Sequence, residues 1–420
     1  MKFSKFNVVT KFEDKMLIYN LLSTSFIAVE MDKYVDLENH HYNEYQDVLS
    51  KANIIVDDNV DEEDVLNEFI ASSYKNSEDD FNEIIILTTT ACNARCYYCY
   101  ECNLEPIVMK QDTMDNIIRY IQKNYKSGKT INLRWFGGEP LINTKAIDYI
   151  CTKLSSLNIS YASKMITNGS LFNEEIVRKA KDLWKLYTLQ ITIDGVKDDY
   201  ERIKNYKSGQ GAAFDTVINN IQTLIDNEIN VVIRINYSVD DIERAKKIID
   251  YLDAQFPNKK YLSAYCAALR EANKPAISSF TSDNSPQLVL INYLFEHGFI
   301  HKIDRLLPKI KAFPCEAWLP KRFFLYPNGD IYKCQHTLSD NDYLPIGNVA
   351  NDELNEKELA KWQNPQMPQK CNNCSCWLIC RGGCKSVREQ EQFSDADCYQ
   401  YKNSLDGLLR LYYKLYKEVT

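Results

Sequence analysis

The chain has 420 residues, of which 45% are hydrophobic and 26% are charged, and its formal net charge is −8. These values indicate a soluble globular protein with room for two or three domains, and the negative charge argues against a general nucleic-acid binder. No apolar run reaches the roughly 18 residues of a membrane-spanning helix, and the charged amino-terminal stretch does not resemble a secretory signal, so we expect a cytoplasmic protein without membrane segments.

Residues 1–78 are expected to form a small α+β unit. Three apolar runs of strand length are joined by short polar loops: FNVVTKF, MLIYNLL and FIAVEM. An acidic turn then precedes Val65, Leu66, Phe69 and Ile70, whose spacing predicts one helix. Nothing in this unit indicates catalysis.

From residue 79 to residue 274 the pattern alternates between strand and helix. The six strand-like runs are EIIIL, TINLRWF, YASKMIT, LQITI, NVVIRIN and KYLSAYC. Helical segments lie between most of them, which predicts a parallel sheet of the α/β class. We expect this sheet to curl into a partial (β/α)6 barrel of the TIM type, with its site at the carboxyl ends of the strands. A complete barrel and a flat doubly wound sheet are the alternatives.

Residues 275–312 are expected to form a helical bridge, and residues 313–420 a third region that ends in a helix from about 400 to 418. This third region carries eight of the fourteen cysteines and shows little hydrophobic periodicity. Four more cysteines lie within residues 91–102. In a reducing compartment such clusters indicate metal or redox chemistry, and a region that buries little apolar surface often needs metal to fold.

The first cluster, ACNARCYYCYEC, follows directly after the first strand of the expected barrel. Cys92, Cys96 and Cys99 suit three irons of a [4Fe–4S] cube, whose usual complement is four cysteines. The fourth iron is then open to a substrate or cofactor. The alternative adds Cys102 and forms a closed, tetrahedral zinc site.

This stretch resembles the radical S-adenosylmethionine (SAM) enzymes, whose signature is a CxxxCxxC loop after the first strand with an aromatic residue, here Tyr98, before the last cysteine. The resemblance covers about residues 81–270. It implies that SAM binds at the open iron of the cluster held by Cys92, Cys96 and Cys99. It also implies that an electron, supplied by a donor such as flavodoxin or ferredoxin, cleaves SAM to a 5′-deoxyadenosyl radical that abstracts a substrate hydrogen.

The resemblance also implies SAM contacts at the carboxyl ends of later strands. They are Gly137, Gly138, Glu139 and Pro140 in FGGEP, Asn168 in ITNG, Thr192 in ITIDG and Arg234 in VVIRIN. Glycines in the first of these motifs let backbone carbonyls approach the ligand. Arg234 is expected to pair with the SAM carboxylate.

The third region is similar to the SPASM domain, the C-terminal extension of many radical SAM peptide and protein maturases. All seven cysteines of that pattern are present, and the resemblance implies two auxiliary [4Fe–4S] clusters. The ligands of one would be Cys371, Cys374, Cys380 and Cys398. Three corners of the other would be Cys315, Cys334 and Cys384. A zinc ribbon is the alternative reading of these cysteines.

The cluster that includes Cys315 lacks a fourth thiolate nearby in the sequence. Either one iron is open, or a distant thiol such as Cys266 or Cys376 completes the set. An open iron suggests the hypothesis that it binds the thiolate of a substrate cysteine, to which a carbon radical then couples. Otherwise Cys102, Cys151, Cys266 and Cys376 are expected to be packing residues.

Two features bear on the substrate. Sulfatase maturases, which make formylglycine, carry an aspartate after the second SPASM cysteine, whereas this protein has Gln335. Peptide maturases often begin with a small winged-helix-like domain that grips the leader of the precursor peptide, and residues 1–78 resemble it in order and size. We therefore expect a maturase of ribosomally made peptides that forms thioether links. The alternatives are a carbon–carbon cross-linking maturase, a sulfatase maturase and, outside catalysis, an iron–sulfur electron carrier.

Overall fold

The computed structural model describes residues 1–42, 45–78, 81–207, 214–269, 285–337, 343–351, 353–363, 369–371, 374, 376–388 and 404–419. Among these residues, none of the helices combines the length and the apolar character needed to cross a lipid bilayer. Three parts follow one another in sequence: an amino-terminal α+β unit, a large sheet flanked by helices, and a cysteine-rich carboxyl-terminal region.

The amino-terminal unit contains five short strands and three helices among its described residues. They are β1 (Lys2–Phe3), β2 (Asn7–Phe12), β3 (Lys15–Asn20), β4 (Phe26–Glu30), α1 (Met31–Glu38), α2 (Gln46–Lys51), β5 (Ile55–Val56) and α3 (Glu62–Glu78). An antiparallel sheet has the order β2-β3-β4, and β1 pairs with β5. The three predicted strands and the long predicted helix are present, while α1 and α2 are too short to show a clear periodicity in the sequence.

The described residues of the central part form six parallel strands and six helices. The strands are β6 (Glu83–Thr89), β7 (Ile131–Gly137), β8 (Tyr161–Thr167), β9 (Leu186–Ile193), β10 (Asn230–Tyr237) and β11 (Leu262–Ala268). The helices are α4 (Gln111–Asn124), α5 (Thr144–Ser156), α6 (Glu174–Asp182), α7 (Asp198–Lys204), α8 (Phe214–Asp226) and α9 (Ile242–Gln255). Each strand overlaps its predicted run, and only α7 lies outside the predicted helices.

Buried apolar side chains explain why these segments form a parallel sheet with helices against it. All seven residues of β6 are buried, as expected for a strand covered on both faces. On α4, Met114, Ile117, Ile118 and Ile121 recur at helical spacing, and the helix packs into the main core between helices and sheet. The opposite face, here called the inner face, carries a smaller core of Ile85, Leu87, Phe136, Phe324 and Tyr326.

The barrel is partial. The strand order β11-β10-β9-β8-β7-β6 follows the sequence, and β6 pairs on its other side with β12 (Phe323–Leu325) instead of β11. β12 is parallel to β6, and β13 (Asp330–Tyr332) and β14 (Gly347–Asn348) continue the sheet in antiparallel order. The cysteine-rich region therefore extends the barrel sheet by three strands.

The remaining helices connect the cysteine-rich region with the rest of the molecule. They are α10 (Pro286–Glu296), α11 (Glu356–Ala360), α12 (Trp377–Cys380), α13 (Lys385–Arg388) and α14 (Leu405–Val419). α10 lies in the predicted bridge, whose first ten residues are outside the described ranges, and the described residues 297–312 after it contain only a short 3-10 turn, Ile303–Arg305. α14 is the predicted final helix, and its Leu405, Leu409 and Tyr412 share a core with Tyr19 and Leu21 of the amino-terminal unit. This cluster is here called the terminal core.

Candidate functional site

The first cysteine loop follows β6 at the carboxyl edge of the sheet. Its two ends are joined by Thr90, whose N–H donates to the Ile107 carbonyl at 2.9 Å. Cys92, Cys96 and Cys99 are half-buried. Burial raises the pKa of Cys92 to about 12 and that of Cys99 to about 11, and the charge of Cys96 contributes to both shifts. The three thiols therefore lie within electrostatic range of one another.

The donor set of these thiols suits an iron–sulfur cluster, because the thiolates of a [4Fe–4S] cube each bind a separate iron. Among the described residues, no group of three His, Cys, Asp or Glu side chains is arranged to hold a single metal ion. Cys102, the fourth cysteine of the stretch, is exposed, so it is not the packing residue that the sequence suggested.

Hydrogen bonds from another strand end hold the loop in place. Asn93, which is 2% exposed, accepts from Asn168 Nδ2 at 2.8 Å and donates to Ser170 Oγ at 2.9 Å. The loop backbone is also fixed, because the Arg95 N–H donates to the Lys204 carbonyl at 2.8 Å. Asn168, a predicted SAM contact, thus contacts the cysteine loop in this structure.

Gly137 and Gly138 let the end of β7 pass close to the start of the cysteine loop. A Cβ added to Gly138 would lie 2.5 Å from the Ala91 carbonyl oxygen, and one added to Gly137 would overlap the carbonyl oxygen of Thr89. Gly137 also has a φ of 125°, which strains any residue with a side chain. The two glycines therefore make room for the loop backbone, a packing role beside the ligand approach inferred from the sequence.

Glu139 is fully buried and connects the ends of β7 and β8. Its carboxylate accepts hydrogen bonds from the Thr167 hydroxyl at 2.8 Å, the Asn168 N–H at 2.8 Å and the Leu141 N–H at 3.1 Å. Burial raises its pKa, and the two backbone hydrogen bonds oppose that shift. Pro140 follows as the first residue of a short 3-10 turn. The Glu139 side chain therefore braces the rim of the sheet.

A buried ion pair that was not predicted from the sequence lies beside the first cysteine loop. Lys204 Nζ is 2.8 Å from Asp194 Oδ2, and both side chains are almost completely buried. The Tyr98 hydroxyl donates to the same carboxylate oxygen at 2.6 Å. Burial alone would lower the pKa of Lys204, but the charge of Asp194 raises it well above its ordinary value. Tyr98, which lies between two predicted cluster ligands, is thus anchored at the end of β9.

The other oxygen of Asp194 connects this pair to predicted SAM residues. Asn236 Nδ2 donates to Asp194 Oδ1 at 2.7 Å, and Asn236 Oδ1 accepts from Arg234 Nε at 2.9 Å. Thr192 lies opposite Arg234 in the register of β9 and β10. The structure therefore brings Tyr98, Thr192 and Arg234 into one region. The signal for Asp194 was its place directly after a strand, in ITIDG.

Two buried polar atoms at the end of the loop have no hydrogen-bond partner among the described residues: the Tyr100 hydroxyl and Glu101 Oε1. Glu101 is 8% exposed, and burial raises its pKa to about 7. The ring centroid of Tyr100 lies 4.5 Å from that of His336. Burial raises the pKa of Tyr100, with contributions from the charges of Glu101, Cys99 and Cys334. These groups therefore lie where the two cysteine regions meet.

The second cysteine region brings three predicted ligands of one auxiliary cluster near one another. Cys315 is exposed, but partial desolvation of its thiol raises its pKa and the charge of Cys384 adds to that shift, so the two thiols are close. Cys334 packs against a small core that contains Trp318, three residues after Cys315. The donor set of Cys315, Cys334 and Cys384 fits three corners of a cluster.

Charged residues on the inner face tie this second region to the barrel. Arg134 on β7 donates two hydrogen bonds to Glu316, at 2.9 and 3.0 Å. Arg134 also pairs with Glu83, as do Lys164 and Arg322. Burial alone would raise the pKa of Glu83, but the hydrogen bond from Lys164 and the charges of Arg134 and Arg322 lower it.

The other auxiliary set is described only in part. Cys371, Cys374 and Cys380 are half-buried and lie in a run of turns, where the Cys374 N–H donates to the Cys371 carbonyl at 3.2 Å. Cys398, the predicted fourth ligand, lies outside the described residues. This set therefore stays a prediction.

Three other cysteines pack into cores. Cys151 is buried in the main core, and Cys376 in the terminal core. Cys266 packs against the main core, on the face of β11 opposite to the inner face. Since the region around Cys315 is tied to the inner face, Cys266 is not placed to complete that site.

Comparisons with known proteins agree with this geometry. Residues 86–252 match the family model of the Radical SAM superfamily. An uncharacterized protein of Methanocaldococcus jannaschii is 34% identical over 143 residues, which are 33% of this chain and 47% of that protein. The chain thus spans about half the length of that relative. A cysteine-type anaerobic sulfatase-maturating enzyme of Clostridium novyi is 22% identical over 339 residues, 71% of this chain and 86% of the enzyme.

Among solved structures, SuiB of Streptococcus suis bound to S-adenosylmethionine has a TM-score of 0.55 at 16% identity. The match covers 95% of this chain and 99% of SuiB. SuiB has also been solved with its precursor peptide SuiA. At this identity the comparison shows a similar fold.

Proposed function

Because residues 86–252 match the family model of the Radical SAM superfamily, we propose that the protein is a maturase that cross-links a ribosomally made precursor peptide through a cysteine thioether. The observation that carries the proposal is a free strand edge in the amino-terminal sheet. The cofactors of the proposed maturase would be SAM, one [4Fe–4S] cluster on the first cysteine loop and two auxiliary clusters. A donor such as flavodoxin or ferredoxin would supply the electron.

The free edge belongs to β4. The Leu21 N–H donates to the Phe6 carbonyl at 3.0 Å, and the Asn20 N–H donates to the Ser25 carbonyl at 2.9 Å. Successive residues of β3 thus bond alternately to β2 and to β4, as in any antiparallel sheet. By this alternation Ala28, which is opposite Leu17, directs its backbone N–H and carbonyl away from β3. No other strand pairs with β4 in the described part of the protein.

An unpaired edge of this kind can accept an extended peptide as a fourth strand, and backbone hydrogen bonds then supply the affinity. The other edge is less accessible, because Arg410 on α14 donates to the Lys11 carbonyl of β2 at 3.3 Å. The SuiB match covers 95% of this chain, so that fold includes a counterpart of most of residues 1–78. SuiB was solved with a precursor peptide, which supports a leader as the occupant.

The residues at the sheet rim would hold the reactants. When bound, SAM and the reduced cluster supply a 5′-deoxyadenosyl radical that abstracts a hydrogen atom from the peptide. Cys92, Cys96 and Cys99 would hold that cluster. Asn236 orients the Arg234 guanidinium, which would pair with the SAM carboxylate.

Sulfatase-type maturation is the second candidate, and the Clostridium novyi relative favours it. Such an enzyme would oxidise a cysteine of a sulfatase to formylglycine. Against it stands Gln335, an amide at the position where the sulfatase type carries an aspartate. A cysteine-containing sulfatase peptide that gained formylglycine on incubation with the reconstituted protein, SAM and dithionite would favour this second candidate.

The main test is mass spectrometry of candidate precursors, which are short cysteine-containing peptides encoded in neighbouring reading frames, after incubation with the reconstituted protein, SAM and dithionite. Each thioether should lower the mass by two hydrogens and remove one thiol from alkylation. A precursor whose cysteines are replaced by alanine should yield no link. Links that persist in that variant would instead indicate a carbon–carbon cross-linking maturase.

The cysteine assignment has its own test. Changing Cys92, Cys96 and Cys99 to alanine should abolish formation of 5′-deoxyadenosine, while Cys102→Ala should retain it. If the single change Cys102→Ala caused loss of the cluster, a zinc site made of all four cysteines would become the better interpretation.

The leader site can be tested at one position. Ala28→Pro removes the outward N–H of β4 and blocks strand addition, whereas Ala28→Val keeps it. We expect the proline variant to bind the labelled precursor at least tenfold more weakly and the valine variant to bind it normally. Equal affinities would exclude this edge as the leader site.

A further inference from the structure

Tyr100 and Glu101, at the end of the first cysteine loop, carry polar atoms that form no hydrogen bond with the described residues. The Tyr100 hydroxyl and Glu101 Oε1 are buried, and neither has a hydrogen-bond partner among the described residues. Buried polar groups in native proteins are nearly always paired, and an unpaired carboxyl group is costly to bury. Glu139, one motif further along the sequence, is equally buried and has donors from Thr167, Asn168 and Leu141.

The pair lies between the two regions that carry predicted cluster ligands. Glu101 is the second residue after Cys99, and Tyr100 packs against the inner-face core that includes Tyr326 at the end of β12. On the other side, the ring of Tyr100 lies 4.5 Å from that of His336, two residues after Cys334. A group held here is therefore next to both cysteine regions.

The chemistry of the pair matches one peptide unit. A carboxylate oxygen accepts a hydrogen bond, and a phenol donates one. An extended peptide offers the complementary set, an N–H donor and a carbonyl acceptor. Gln335, the residue directly after Cys334, is an amide and not a carboxylate. Glu101 therefore supplies a carboxylate where the two cysteine regions meet.

We propose that Tyr100 and Glu101 form a contact site for the segment of the peptide substrate that is modified. Glu101 accepts a hydrogen bond from a backbone N–H of that segment, and Tyr100 donates one to a backbone carbonyl oxygen. The inference rests on the proposed function, because it takes the occupant to be a peptide. It is distinct from the leader edge, which lies in the amino-terminal unit.

The test uses Glu101→Gln and Tyr100→Phe, which keep the size of each side chain. The probe is the precursor identified by the mass-spectrometric test above, without its leader and labelled with fluorescein, titrated into the reconstituted protein. Both variants should bind it about ten- to hundredfold more weakly, as expected for a lost hydrogen bond that involves a charged or buried group. Glu105→Gln, which changes an exposed carboxyl group of the same loop, is the matched control and should bind normally.

Thermal unfolding supplies a readout that needs no peptide. Because each variant removes or weakens an unpaired buried group, the Tm should stay the same or rise. A lower Tm in both variants would show that the side chains of Tyr100 and Glu101 stabilise the fold, and the proposal would be wrong. If the wild-type protein neither binds nor modifies the peptide, the proposed function fails and this site fails with it. If the wild type modifies the peptide and both variants bind it equally well, only the present inference is overturned.

Discussion

At the scale of single residues, Asp194 joins the cysteine loop to the rim of the sheet. Its carboxylate binds Tyr98 and Lys204 through one oxygen and Asn236 through the other. Removing one partner of a buried ion pair leaves the other charged and uncompensated, which costs about 3–5 kcal/mol. The network therefore stabilises the fold and orients the loop that carries the thiols.

We expect Asp194→Asn to lower the free energy of unfolding by about 3–5 kcal/mol, because Lys204 is left without a counter-charge. Denaturant titration of the purified protein without SAM measures this loss. Asp199→Asn is the matched control, since it breaks an exposed pair with Arg202 at 2.8 Å and should change stability little. If Asp194→Asn and Asp199→Asn lost equal amounts of unfolding free energy, burial would not explain the cost of removing Asp194.

Gly138 is expected to be intolerant of any side chain. In Gly138→Ala the new Cβ would meet backbone oxygens of Thr90 and Ala91, which cannot rotate away. Overpacking of this kind costs about 1–3 kcal/mol and should displace the cysteine loop. Iron content after reconstitution should therefore fall. Gly128→Ala controls for the loss of glycine itself, because Gly128 has a positive φ but nothing within 4 Å, and it should keep its iron.

The sequence suggests the thiols of the candidate site but not the residues that hold them. Cys92, Cys96 and Cys99 could be proposed as ligands because their spacing and their place after a strand are both local features. Asp194 and Lys204 are ten residues apart and meet because α7 brings the chain back toward the end of β9. α7 is too short to be predicted from hydrophobic periodicity. Contacts of this kind depend on tertiary structure.

At the scale of elements, the long buried strands were predictable and the short ones were not. β8 (Tyr161–Thr167) coincides with its predicted run, since alternating buried residues and flanking turns define it. β12, β13 and β14 have three, three and two residues. Such segments have no periodicity of their own, and β12 is a strand because β6 offers an unpaired edge.

Glu83 links these elements and gives the fold a dependence on pH. Its pKa is lowered from the ordinary value of 4.5, so its contribution to stability is present above that pH and is lost as the pH falls through the lowered value. We expect Glu83→Gln to be less stable than the wild type at neutral pH and the two to converge in acid. Thermal unfolding from about pH 7 to about pH 3 measures this. Glu63→Gln, an exposed residue paired with Lys5, should show no such convergence.

At the scale of the whole molecule, the two ends of the sequence form one structure. The terminal core joins Tyr19 and Leu21 of the amino-terminal unit to Leu409 and Tyr412 of α14. The Tyr19 hydroxyl also donates to the Pro308 carbonyl at 2.9 Å. Residues 1–78 are therefore not an independent appendage, and deleting them would expose apolar side chains of the carboxyl-terminal helix.

Leu409→Ala should reveal this connection. Leu409 is fully buried, and truncation of such a leucine costs about 2–5 kcal/mol. We expect a lower Tm together with faster proteolysis within residues 1–78, which are distant in sequence. Val419→Ala, at the exposed end of the same helix, should leave both unchanged. A stable amino-terminal unit in Leu409→Ala would show that the two ends are independent.

The pairing of β12 with β6 attaches the two cysteine regions to opposite ends of one ladder. The first cysteine loop follows the carboxyl end of β6, whereas β13 runs antiparallel to β12 and leads to Cys334 in the direction of the end where β6 begins. A parallel strand rises about 3.3 Å per residue, so the seven residues of β6, and not the connecting loops, set the distance between the two points of attachment along the sheet. A change in the length of a connecting loop would leave this distance unaltered.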